Sequence, residues 1–259
     1  MMSDRPSKRA GMMPAMNSCA TEMVPPADNA EGFRPVAGQP RAFSRGELAF
    51  LIGVPLLWAI LLLFHPGGGE GTEITYVDLQ DKVTAWLVVH IGMMLFIPLM
   101  AGVVYLLLRG VEGTAAWVSR IALVPFVVFY SAWEVLQGIG VGILVNELNG
   151  LPQAEQALRE DLVQDFAEHV LIGPFGVFGS IGSLGLIVAA IAAGIALYRH
   201  AGAPVSVPVL LGISGLLITV HPPPYGPIGL ALFIFAVLIY QRSHAADRAV
   251  GAVRKPEVA

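Results

Sequence analysis

A chain of 259 residues that is 55% apolar and only 13% charged, with a mean hydropathy of +0.69, falls outside the range of soluble domains, whose charged fraction is nearer ~25%. Its net charge of −4 excludes the basic surface that nucleic acid requires. The lone cysteine, Cys19, excludes an intrachain disulfide and any multi-thiolate metal site.

Residues 1–43 are rich in Met, Pro, Ala and charge without any period, so they read as a disordered tail with no signal-peptide core. The run Ser44-Arg45-Gly46-Glu47 has the spacing of a capping box and starts the first span, about 48–65, which contains Pro55. A Gly-rich acidic loop follows. The second span, about 83–108, holds His90 and Pro98. A short connection, 109–115, makes the third span, 116–146, its antiparallel neighbour.

The long connection 147–171 contains an amphipathic stretch in which Leu158, Leu162, Phe166, His169 and Val170 recur at helical spacing. It is expected to lie on the membrane surface. The fourth span, about 175–198, repeats Gly176, Gly179, Gly182 and Gly185 every third residue, a row that favours close helix contact or a partner subunit or second copy docked on this span. Spans five (about 205–220) and six (about 228–241) flank the stiff turn from His221 to Pro227. Residues 242–259 form a short tail.

The fold expected is therefore all-α: one bundle of six transmembrane helices over 44–241, with one amphipathic surface helix. A cytoplasmic N-terminus puts 13 of the 15 Lys and Arg residues inside, leaving only Lys82 and Arg159 outside. That asymmetry places both termini in the cytoplasm, the spans in the plasma membrane, and the surface helix on the outer face. The layout resembles that of six-span bacterial membrane proteins, a likeness of architecture that implies a bundle and no activity.

Chemistry concentrates in the third span. At about 100° per residue, Tyr130, Glu134 and Gln137 fall within an arc of about 60°, one polar stripe on an otherwise oily helix. An acid at mid-helix costs ~3 kcal/mol on the translocon scale, so Glu134 either ties helices together or does work. His90, on the neighbouring span about 12 Å below Lys82, is its candidate partner in proton exchange. With Met93 and Met94 one turn on, His90 also admits a haem reading.

His65, His169 and His221 all end helices on the outer side, and with Glu168 and Asp165 they form a second candidate set, of the composition that zinc accepts. No HExxH, HxxxH or CxxC spacing supports it. No motif fixes a reaction or specifies a cofactor. The function expected first is binding or movement of a small solute or proton through an outer-facing cavity, with Glu134, His90, Tyr130 and Gln137 as its residues. A metal-dependent membrane enzyme or redox protein, and a structural subunit, are the alternatives.

Overall fold

The computed structural model describes residues 43–66 and 76–253, residues 245–253 by backbone alone. The expected N-terminal tail lies outside the described residues except for Phe43, as does the end of the C-terminal tail. All regular structure among the described residues is helical: α1 Arg45–Leu62, α2 Val83–Leu107, α3 Thr114–Asn149, α4 Gln153–Ala167, α5 Val177–Ala201, α6 Ser206–Thr219 and α7 Tyr225–Val253, with a single turn at Tyr76–Leu79.

Five of these, α1, α2, α3, α5 and the 225–244 part of α7, are long and apolar enough to cross a membrane. Helix α6 has only 14 residues, about 21 Å at 1.5 Å per residue, and stops short because Pro204 precedes it and Pro222 follows. The outward faces are apolar: Leu57, Leu63 and Phe64 on or just beyond α1, Val88 and Leu95 on α2, and Ile121 and Val124 on α3 are all more than half exposed. Such a belt has lipid as its natural solvent, and the chain is a multi-pass membrane protein.

The helices pack as a closed ring, α1 against α2, α2 against α3, α3 against α5, α5 against α6, α6 against α7, and α7 back on α1. The main core fills the ring and includes Trp58, Met93, Ile97, Phe126 and Phe233. A second, smaller core of Tyr76, Leu79, Trp86, Val145, Val163 and Ala167 seats α4 on the last turns of α3. Leu158 and Leu162 are exposed, so α4 meets the bundle through Val163, Ala167 and the partly buried Phe166 and turns the rest of the expected apolar stripe outward.

At the start of α1 the capping box is complete: Glu47 N–H donates to Ser44 Oγ at 3.2 Å and Ser44 N–H donates to a Glu47 carboxylate oxygen at 2.7 Å. Arg109, just past the end of α2, donates to the other Glu47 oxygen and ties the two helix ends together. Ser44→Ala is expected to lower stability by about 1 kcal/mol, read as a lower thermal midpoint in detergent. An unchanged midpoint would show that the Arg109 pair alone holds this end.

Helix α3 is not uniform. Phe126–Tyr130 and Glu134–Gly140 are wound as π-helix, after Pro125 has removed a backbone donor. The wider turns leave carbonyls free for neighbours, and all three residues of the polar stripe face the interior, with Tyr130 at 1%, Glu134 at 1% and Gln137 at 4% exposure.

Candidate metal centre

His65 follows the end of α1, His90 lies two turns into α2, Glu134 opens the second π stretch of α3, and His221 sits between α6 and α7. The antiparallel ring brings these four segments to the same half of the bundle, away from the end that carries Arg45, Arg109 and Arg199. Among the described residues, His65, His90 and His221 each present one ring nitrogen within 4.8 Å of the others, and all three rings are buried. Ring centroids stand 5.0 Å apart for His65–His90 and for His65–His221, and 5.9 Å apart for His90–His221.

The Glu134 carboxylate flanks this trio. One oxygen lies 3.8 Å from His90 Nε2 and the other 3.8 Å from His221 Nδ1, both beyond hydrogen-bond length. Neither oxygen has a hydrogen-bond partner, and His65 Nε2 has none either. A buried carboxylate with both oxygens unmatched costs several kcal/mol unless a metal ion or a proton neutralises it.

Backbone carbonyls orient two of the rings. His65 Nδ1–H donates to the Pro66 carbonyl at 2.9 Å, and His90 Nδ1–H donates to the Trp86 carbonyl at 2.7 Å. A carbonyl only accepts, so both rings carry their proton on Nδ1 and turn an Nε2 lone pair inward. The Tyr130 hydroxyl stands 3.2 Å from His221 Nδ1 and 3.3 Å from the Thr219 carbonyl. His65 and His221 lie beyond the ends of their helices. Burial holds the His65 imidazole down to about 4, and burial together with the neighbouring His65 and His90 holds His221 well below its ordinary value. Both are neutral near pH 7, the form that ligates metal.

Indoles wall the cluster. Trp86 lies 4.1 Å from the His90 ring and 5.2 Å from the His65 ring, and its Nε1–H donates to the Gly138 carbonyl at 2.6 Å, one of the groups in the π stretch. Trp133 stands 5.6 Å from His221 and donates to the Ile172 carbonyl at 2.7 Å. Gly138 is where α2 and α3 touch: a Cβ there would overlap the His90 ring and stand 2.5 Å from its Cγ. The indole of Trp86 is the residue that sequence reasoning passed over, whereas Gly138, at GxxxG spacing with Gly142, stands at the close helix approach that spacing predicts. The signal for Trp86 was spacing, one turn before His90.

The remaining candidates lie elsewhere. Gln137, with its amide nitrogen turned to the carbonyls of Ala167 and Ile172 at 3.1 Å each, ties α3 to the segment after α4. His169 is exposed, and its Nδ1 accepts from the Leu171 N–H at 3.3 Å. Glu168 is also exposed and accepts from Gln164. Neither belongs to the histidine trio. The glycine row of α5 packs within the chain, Gly179 on Trp133, Gly182 on Tyr130 and Gly185 on Phe126. Comparison with family models, with curated protein sequences and with solved structures finds no match to this chain.

Proposed function

We propose that this chain is a six-span plasma-membrane metalloprotein with both termini in the cytoplasm, holding one divalent transition-metal ion between His65, His90 and His221 in the outer half of the bundle. Glu134 supplies the balancing negative charge and a fourth donor. The observation that carries this reading is the convergence of three buried imidazole nitrogens beside a buried carboxylate whose oxygens have no partner. Helix α6 makes the sixth crossing, shorter than the others, and the Lys and Arg asymmetry supports the orientation.

Distances favour a metal over a bare proton relay. Metal bonds of about 2.1 Å put ligand atoms roughly 3.0 to 4.2 Å apart, so the 3.8 Å between Glu134 and His90 Nε2 suits an ion, and the trio closes on one with ring shifts of up to about 0.7 Å. A relay needs links near 2.7–3.2 Å, which the Glu134 contacts exceed. Imidazole with carboxylate is a donor set for zinc, iron, manganese or cobalt in the divalent state. A haem on His90 is disfavoured, because Trp86, His65 and His221 already occupy the space around that ring.

The second reading is proton or small-solute binding at Glu134 with His90 beside it, supported by that buried, unmatched carboxylate. Metal content of detergent-purified protein, as isolated and after reconstitution with zinc, iron, manganese or cobalt, separates the two. About one ion per chain is expected in the wild type and in His169→Ala, with less than a tenth of that in His90→Ala and His221→Ala and weaker retention in Glu134→Gln. A folded wild-type protein that takes up no ion under any of these conditions sinks the metalloprotein reading and leaves the proton-binding one.

A further inference from the structure

We propose that Tyr130 is a positioning residue that fixes the tautomer of His221, so that all three histidines meet the metal through Nε2. The inference rests on the metalloprotein reading and adds the coordination mode. Its basis is hydrogen-bond accounting at a buried hydroxyl. Tyr130 has one proton to give and two neighbours within reach, the Thr219 carbonyl at 3.3 Å and His221 Nδ1 at 3.2 Å. The carbonyl belongs to the last turn of α6, where carbonyls have no partner within the helix, and it only accepts.

Donation to Thr219 satisfies that group and leaves the hydroxyl oxygen facing His221 Nδ1, which then bears the proton. His221 thereby takes the tautomer that Pro66 imposes on His65 and Trp86 imposes on His90. Every Nδ1 of the trio has an outer partner and every Nε2 is left with a lone pair. Such partners hold a ligating ring in one orientation and raise its basicity. Glu134 reinforces the assignment, since its oxygen near His221 lies on the Nδ1 edge and favours N–H there.

Tyr130 is itself held. Its ring packs edge-on against Trp133 at 5.3 Å and at a tilt against Phe126 at 5.6 Å, and its backbone is pressed on Gly182 of α5. Tyr130→Phe therefore keeps the ring and its packing and removes only the hydroxyl.

The test is made on the full-length protein in detergent with nitrogen-labelled histidine, first metal-free and then loaded with cadmium as a spectroscopic stand-in. The wild type is expected to show His221 protonated on Nδ1 when metal-free, and cadmium coupled to Nε2 of each of the three rings. In Tyr130→Phe, affinity in chelator competition is expected to fall 10- to 100-fold, and the His221 ring signals to lose the Nδ1–H form. A role in stability alone lowers the melting temperature and leaves the tautomer and the coupling pattern unchanged. Cadmium coupled to Nδ1 of His221 in the wild type, or a Tyr130→Phe protein with wild-type affinity and ring signals, overturns the proposal. If the wild type binds no ion, the metalloprotein reading fails by itself, and the metal-free signals still decide the tautomer: Nε2–H at His221 there overturns the role assigned to Tyr130, while Nδ1–H lost in the variant supports it.

Discussion

A single methyl group at Gly138 is expected to weaken the proposed metal site without altering any of its candidate ligands. A Cβ at this position would stand 2.5 Å from His90 Cγ and 2.9 Å from His90 Cβ, far inside van der Waals contact. The ring has no cheap way to yield, because Trp86 packs on one face at 4.1 Å and the Trp86 carbonyl holds Nδ1 at 2.7 Å. Either His90 leaves its place or α2 and α3 separate, which also breaks the bond from Trp86 to the Gly138 carbonyl. Overpacking of this kind costs about 1–3 kcal/mol, and displacing a ligand ring is expected to lower metal affinity on the order of 100-fold. Chelator competition reads the affinity, and thermal unfolding of the metal-free protein reads the packing cost. The sharper check is a double-mutant cycle: in a His90→Ala background the two ring contacts are gone and only the 2.9 Å approach to the residue-90 Cβ remains, so the stability cost of Gly138→Ala should shrink markedly. An undiminished cost without the His90 ring would falsify the steric account.

The sequence made the membrane bundle legible because its signals are one-dimensional. Apolar runs, a capping box at Ser44 and Glu47, and prolines at the ends of α6 can all be counted along the chain. Depth was legible for the same reason: rise per residue placed His90 in the half of the bundle that also holds His65 and His221. What the sequence withheld was position around the ring. It grouped His65 and His221 with His169 and Glu168 because all four end helices on one side, and it paired His90 separately with Glu134. The fold instead gathers His90 with His65 and His221, because closing the ring brings α1, α2 and the α6–α7 turn together across the interior. His169 ends a surface helix that joins the bundle through α3, so it stays at the periphery. The π stretches escaped notice too, since Pro125, Gly138 and Gly140 mark weak points in a helix without saying which winding results.

The glycine row of α5 gives the second large effect, and here the sign of the change is the test. In a helix interior Gly→Ala gains up to about 1 kcal/mol from backbone entropy, so where space allows, the substitution stabilises. Gly53 on α1 has such space, with nothing within 4 Å of an added Cβ. At Gly182 the same methyl would stand 2.5 Å from the Tyr130 backbone nitrogen and 2.7 Å from its Cα. Backbone cannot rotate away as a side chain can, so α5 must move off α3 and uncover Tyr130, Phe126 and the groups packed on them. Gly182→Ala is expected to lose about 1–3 kcal/mol and several degrees of thermal midpoint, while Gly53→Ala holds or gains. Because Tyr130 reaches His221 from this stretch of α3, the Gly182 variant should also bind metal more weakly, and the Gly53 variant should not. Equal midpoints for the two variants would mean that α5 and α3 are not in contact at Gly182, and the route by which α5 would support the proposed metal site would go with it.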